Sequence, residues 1–102
     1  MNYRVVITDQ ALSDLREIRD YIAADSPANA VKFLERLFES FDVIEASPES
    51  FAAAPEDGLV PYRLRQFVVK PYRVLYRAAK GRVEVLHLRH GARLPARPEE
   101  LP

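Results

Sequence analysis

The chain has no cysteine, no tryptophan and only three glycines, and no apolar run approaches the roughly 20 residues needed to cross a bilayer. Without cysteine there are no disulfides and no thiolate zinc sites, which suits a reducing interior. The opening Met1 to Ile7 is broken at once by Thr8-Asp9, too early for the apolar region of a signal peptide, so the expected location is the cytoplasm, with no membrane partner. Gly58, Gly81 and Gly91 are too scattered for a phosphate-cradling loop, and no serine sits in a Gly-x-Ser-x-Gly elbow. His87 and His90 lie three apart in a strand-like run, where they would face opposite sides and could not share a metal ion. No metal and no cofactor is expected. Asp14 and Glu17 fall on the solvent side of a helical stripe and read as a wet face.

What is present is an uneven distribution of charge. Residues 1–57 carry twelve acids against five bases, a net of −7, and residues 58–102 carry ten bases against three acids, a net of +7. The acidic part reads as helix and the basic part as strand. A packed domain with this order would show one electronegative and one electropositive surface, the second suited to an anionic or acidic partner. At 102 residues, 48% of them hydrophobic and 29% charged, the chain is the size of one globular domain with a modest core.

Tyr3 to Ile7 is a β-branched run that predicts a first strand. Thr8 or Asp9 can cap a helix in which Ala11, Leu15, Ile18 and Ile22 share a face, widened by Leu12 and Tyr21. Ser26 suits a second N-cap and Pro27 the first helical position. Ala30, Leu34, Leu37, Phe41 and Ile44, flanked by Val31, Phe33 and Phe38, then mark a long helix ending near Ala46. The short link makes the two helices an antiparallel hairpin. Ser47 to Pro61 is irregular. Beyond it the period drops to two, and Tyr62 to Val69, Tyr72 to Ala78 and Arg82 to His90 predict three strands. The fold expected is α+β, in the order β-α-α-β-β-β, with the helix hairpin packed on a largely antiparallel four-stranded sheet. Residues 1–91 form the single domain, and 92–102, rich in proline and arginine, are expected to be a flexible tail.

The chemistry-bearing side chains left over are basic. Arg63 and Arg65 would share one strand face, and Arg73 and Arg77 another, while Arg89, His90 and Arg93 extend the positive region past the last strand. Arginines lined up on adjacent strands repel unless an anion compensates. Such a surface could hold a phosphodiester or dock an acidic protein segment, so these seven residues are the candidate partner-binding set.

Several stretches together resemble the ParE/RelE family of small bacterial toxins encoded beside a neutralising antitoxin. They run from Thr8-x-x-Ala11-x-x-Asp14-Leu15-x-x-Ile18-x-x-Tyr21-Ile22 and Ser26-Pro27-x-x-Ala30-x-x-Phe33 through Ser47-Pro48 and Pro55-Glu56-x-Gly58. Arg63, Tyr72-Arg73-Val74-Leu75-Tyr76 and His90-Gly91-Ala92-Arg93 complete the pattern, which covers the chain from Tyr3 to about Arg93. The resemblance implies the RelE/ParE-like fold and one of two activities. RelE-like members bind the ribosome and cut messenger RNA; ParE-like members inhibit DNA gyrase without that catalytic set. As a nuclease, the chain would use Arg65, Arg73 and Arg89 as cations and His87 or His90 as the acid. A base is harder to find, because Lys70 sits beside a turn and no tyrosine follows Tyr76. The Ser26-Pro27 junction, the long second helix and the His90-Gly91-Ala92-Arg93 ending look more like the ParE branch. That branch implies growth arrest, plasmid stabilisation, gyrase as target and no catalytic residues. It also implies a cognate antitoxin from the adjacent gene, in a heterotetramer or larger complex. The alternatives are the ribosome-dependent endonuclease and a relative that binds without toxicity.

Overall fold

In the computed structural model, which describes residues 3–101, both α-helices start at a side-chain cap that the sequence foreshadows. Strand β1 (Arg4–Ile7) runs into Thr8, whose hydroxyl accepts from the Ala11 N–H at 3.3 Å and donates to the Val85 carbonyl at 2.8 Å. Thr8 therefore both starts α1 (Asp9–Asp25) and fastens it to the sheet. Ser26 alone separates α1 from α2 (Pro27–Ala46). Its N–H closes the first helix on Ile22 at 2.8 Å, and its Oγ opens the second by accepting from Asn29 at 3.2 Å. Pro27 at the first helical position surrenders an N–H that would have no partner.

Strands β2 (Arg65–Val69), β3 (Tyr72–Ala79) and β4 (Arg82–His90) follow, and the sheet order is β1-β4-β3-β2. Only the β1–β4 pair is parallel; β4–β3 and β3–β2 are antiparallel. The expected α+β architecture is therefore present, as a mixed sheet with the helix hairpin on one face. Leu37 and Ile44 are fully buried there with Phe41, against Val74, Tyr76, Val83 and Val85 and beside Leu15 and Ile18 of α1. The Tyr76 hydroxyl, deep in this core, donates to the Pro48 carbonyl at 2.6 Å, and burial pushes its pKa up to about 12.

Several expectations need correction. Leu12 and Tyr21 do not widen the α1 stripe: both are exposed, Leu12 because it lies about 100° round the helix from Ala11. On α2, Phe33 is buried, but Val31 and Phe38 face outward. β2 begins at Arg65 instead of Tyr62, because the Leu64 backbone is claimed by the preceding loop: its N–H donates to Asp57 Oδ1 at 2.6 Å and its carbonyl accepts from Ala54 at 2.8 Å. Arg63 is thereby off the strand.

The largest departure is on the far side of the sheet. Leu75 lies opposite His87 and Tyr76 opposite Val85, so Leu86 is an extra residue, a β-bulge in β4. The bulge breaks the alternation. Val85 and Leu88 belong to the core under the helices, while Leu86 packs with Leu75 on the other face. That face is covered, not wet. Ala54 and Leu64 from the long connection, and Ala96 and Leu101 from the segment after β4, join Leu75 and Leu86 in a second apolar cluster. The segment expected to be a flexible tail is thus laid across the sheet, ending in a single 3-10 turn at Pro98–Glu100.

Leu37 is the residue on which the two layers close. Its replacement by alanine is expected to cost about 2–5 kcal/mol in a denaturant titration. A loss under about 0.5 kcal/mol, the range of ordinary surface substitutions, would contradict its placement at the centre of the core.

Candidate functional site

Arg73, Arg77, His87 and Arg89 lie on the second face of the sheet, whereas Arg65 and His90 lie on the helix-side face, and the register decides how they meet. Arg73 of β3 lies directly opposite Arg89 of β4, two like charges that a bare sheet would push apart. Each is buried, and each receives a carboxylate from outside the sheet. Arg73 donates to both oxygens of Glu56, at 3.1 and 2.8 Å, and to Gln66 Oε1 at 2.9 Å. Glu56, whose side chain is fully buried, also accepts the Ala96 N–H at 2.8 Å. Burial works to raise the Glu56 pKa, but the Arg73 hydrogen bond and the Ala96 N–H outweigh it and hold the carboxyl below its ordinary value.

Arg89 is tied on three sides. Its Nε donates to the Leu94 carbonyl at 2.8 Å, and its Nη1 donates to Glu100 Oε2 at 2.6 Å and points at His87 Nε2 at 3.4 Å. An arginine can only donate, so His87 Nε2 is the acceptor and the imidazole proton sits on Nδ1, where it goes to Asp14 Oδ2. Asp14 also accepts from the Leu88 N–H at 3.0 Å and from Gln10 Nε2 at 2.8 Å. Far from being part of a wet face, Asp14 is buried. It stands where β1 has ended and the β4 edge has no strand beside it, so its carboxylate serves a backbone donor that would otherwise be unpaired. Burial alone would raise its pKa; the hydrogen bonds from His87, Leu88 and Gln10 lower it on balance.

The other candidates lie around this centre. Arg65 donates to the Phe51 carbonyl at 2.6 Å. Arg77 pairs with Glu84 at 2.6 Å and covers the Tyr62 ring at 4.6 Å. Arg63 reaches Asp57 at 3.4 Å from an exposed position. His90 is on the opposite face from His87, packed edge-on to Tyr72 with ring centroids 5.2 Å apart, and its Nδ1 accepts the Ala92 N–H at 3.0 Å. Arg93 is exposed and lines a hollow with Gln10, Asp14, Glu17, His87 and Glu100. The structure therefore gathers Arg73, Arg89 and His87, but as a closed network, and leaves Arg63 and Arg93 as outward cations. Sequence reasoning missed the three acids that close it. Glu56 and Asp14 were visible only as members of the stretches Pro55-Glu56-x-Gly58 and Ala11-x-x-Asp14-Leu15, and nothing in the local pattern marked Glu100.

Comparison with known proteins places this geometry. A family model described as the ParE toxin of the type II toxin–antitoxin system parDE matches residues 5–95. The protein named Toxin RelE2 of Caulobacter vibrioides is 41% identical over 93 residues, covering 89% of this chain and 98% of the relative. A solved chain from the chromosomal ParDE system of P. aeruginosa superposes with a TM-score of 0.70 at 21% identity, over 86% of this chain and 95% of that one, and shares the fold.

Two measurements test the network. Replacing Arg73 with methionine leaves Glu56 buried without its cation and is expected to cost about 3–5 kcal/mol; full stability would mean that Glu56 has another partner. Because the folded pKa of Asp14 is lowered, its contribution is complete above the unfolded value near 3.8 and is lost as pH falls through the folded one. Asp14→Asn should therefore be less stable than wild type at neutral pH, with the gap narrowing only below about pH 4. A gap that stays constant down to about pH 3 would remove Asp14 from the acid response.

Proposed function

The chain belongs to the ParE/RelE family of type II toxin–antitoxin toxins, and on that premise we propose that it arrests growth by binding DNA gyrase, without chemistry of its own. The observation that carries this reading is the closure of the basic network. Cleavage of RNA through its 2′-hydroxyl needs a base, an acid and cations around one phosphate. Arg73 and Arg89 are buried against Glu56 and Glu100, and both nitrogens of His87 are engaged by Asp14 and Arg89. These groups hold the sheet together and offer no open cradle to a phosphodiester. The Ser26-Pro27 junction, the 20-residue α2 and the His90-Gly91-Ala92-Arg93 ending support the ParE side of the family.

On this reading the protein works in the cytoplasm and is held inactive by a cognate antitoxin from the adjacent gene, in a heterotetramer or larger complex. The exposed Arg63 and Arg93 are the outward contact residues, with Arg73, Arg77 and Arg89 contributing from the second face of the sheet and Arg65 and His90 from the helix-side face. A surface of this kind spreads its affinity, so one rim charge changes binding modestly and through the on-rate.

Expression alone should arrest growth with filamentation and DNA damage, and co-expression of the neighbouring gene should relieve it. Purified protein should inhibit gyrase supercoiling and leave messages on translating ribosomes intact. His90→Ala should keep most of the toxicity, and Arg93→Glu should weaken it in a graded, salt-dependent way. Ribosome-dependent cleavage abolished by His90→Ala would establish the nuclease instead, and a harmless protein in its native host would mark a binding relative without toxicity.

A further inference from the structure

The segment after β4 is attached in an unusual manner. Among the described residues, no backbone–backbone hydrogen bond joins 94–101 to the body of the domain. Their backbone bonds are local, Glu100 N–H to Arg97 and Leu101 N–H to Pro98, at 2.9 and 3.1 Å. Everything that holds them runs through side chains: the Leu94 carbonyl and the Glu100 carboxylate on Arg89, and the Ala96 N–H on Glu56. Ala96 and Leu101 insert into the apolar floor of Leu64, Leu75 and Leu86. Pro95 and Pro98 bar the segment from joining a strand ladder. It is bound like a peptide on a receptor, with a carboxylate on a buried guanidinium and a leucine next to it in an apolar pocket.

We propose that the second face of the sheet is a docking site for a short acidic–apolar segment, and that residues 94–101 are its resident occupant, exchangeable for a partner segment of the same chemistry. Removing the occupant breaks no strand pairing and leaves Glu56 still bonded to Arg73. It does leave the Arg89 guanidinium, in a side chain only 5% exposed, without its anion, and it uncovers the leucine floor. Any replacement must therefore bring both a carboxylate and an apolar side chain, because a buried charge without its partner is costly. The exposed Arg93, just outside the segment, stays with Arg89 beside the slot when the segment leaves and favours an acidic arrival. The site holds whichever cellular target the toxin has.

The test uses the full chain and a fluorescent synthetic peptide of residues 94–102. The cis segment has an effective concentration on the order of millimolar, so wild type should bind the peptide weakly. The full-length variant Glu100→Ala with Leu101→Asp keeps the receptor residues and loosens the occupant. It should bind the peptide at least about tenfold more tightly, and a peptide bearing the same two changes should bind neither protein. Hydrogen exchange of the variant should accelerate at residues 94–101 and leave β1 to β4 protected. Equal peptide binding by both proteins, or lost protection across the whole sheet, would overturn the proposal and make the segment an inseparable part of the fold.

Discussion

Arg73 and Arg89 face each other across the two central strands, and much of the molecule beyond the helix hairpin is arranged to tolerate that pair. Two guanidinium groups side by side on an inner sheet face need two carboxylates, and β3 and β4 have none to give at that place. Glu56 comes from the long connection between α2 and β2, and Glu100 from beyond the last strand. Both segments are irregular, and both bring apolar residues with them. Ala54 and Leu64 arrive with the first, Ala96 and Leu101 with the second, so that charge compensation and the second apolar cluster form together.

The same constraint explains where the split of charge along the chain goes. Asp14, Glu56 and Asp57 belong to the acidic half and are spent on His87, Arg73 and Arg63 of the basic half. Two of these pairings, Asp14–His87 and Glu56–Arg73, are buried, and Asp57–Arg63 lies nearer the surface. What remains for a partner is a smaller set of outward cations. This favours recognition over catalysis, because a transition state needs cations free to follow the charge as it develops.

The β4 bulge and the end of β1 act at one corner. Leu86 as an extra residue sets His87 on the face with Leu75, and β1 stops at Ile7, leaving the Leu88 N–H without a strand partner. Asp14, in the second turn of α1, meets both needs. The corner ties the first helix, the last strand and the final segment into one chain of contacts, from Asp14 through His87 and Arg89 to Glu100. A helix that had slipped by one residue would have turned its carboxylate away from this corner.

The sequence by itself determined the elements and their order. Thr8 and Ser26 as caps, Pro27 at a helix start, the four-and-three spacing of Leu37, Phe41 and Ile44, and the period of two after Pro61 are local signals, and local backbone sterics and hydrogen bonding decide them. The family pattern was legible for the same reason, since it consists of such stretches in a fixed order. Tertiary structure alone decided which charges meet. Glu56 lies 17 residues from Arg73, Glu100 lies 11 from Arg89, and Asp14 lies 73 from His87. Those pairings depend on strand register, on one extra residue in β4 and on how two irregular segments settle over a sheet. An arginine face that reads as open in the linear sequence is therefore closed in the folded chain, because burying a charge requires a partner and only the three-dimensional packing can deliver one from that distance.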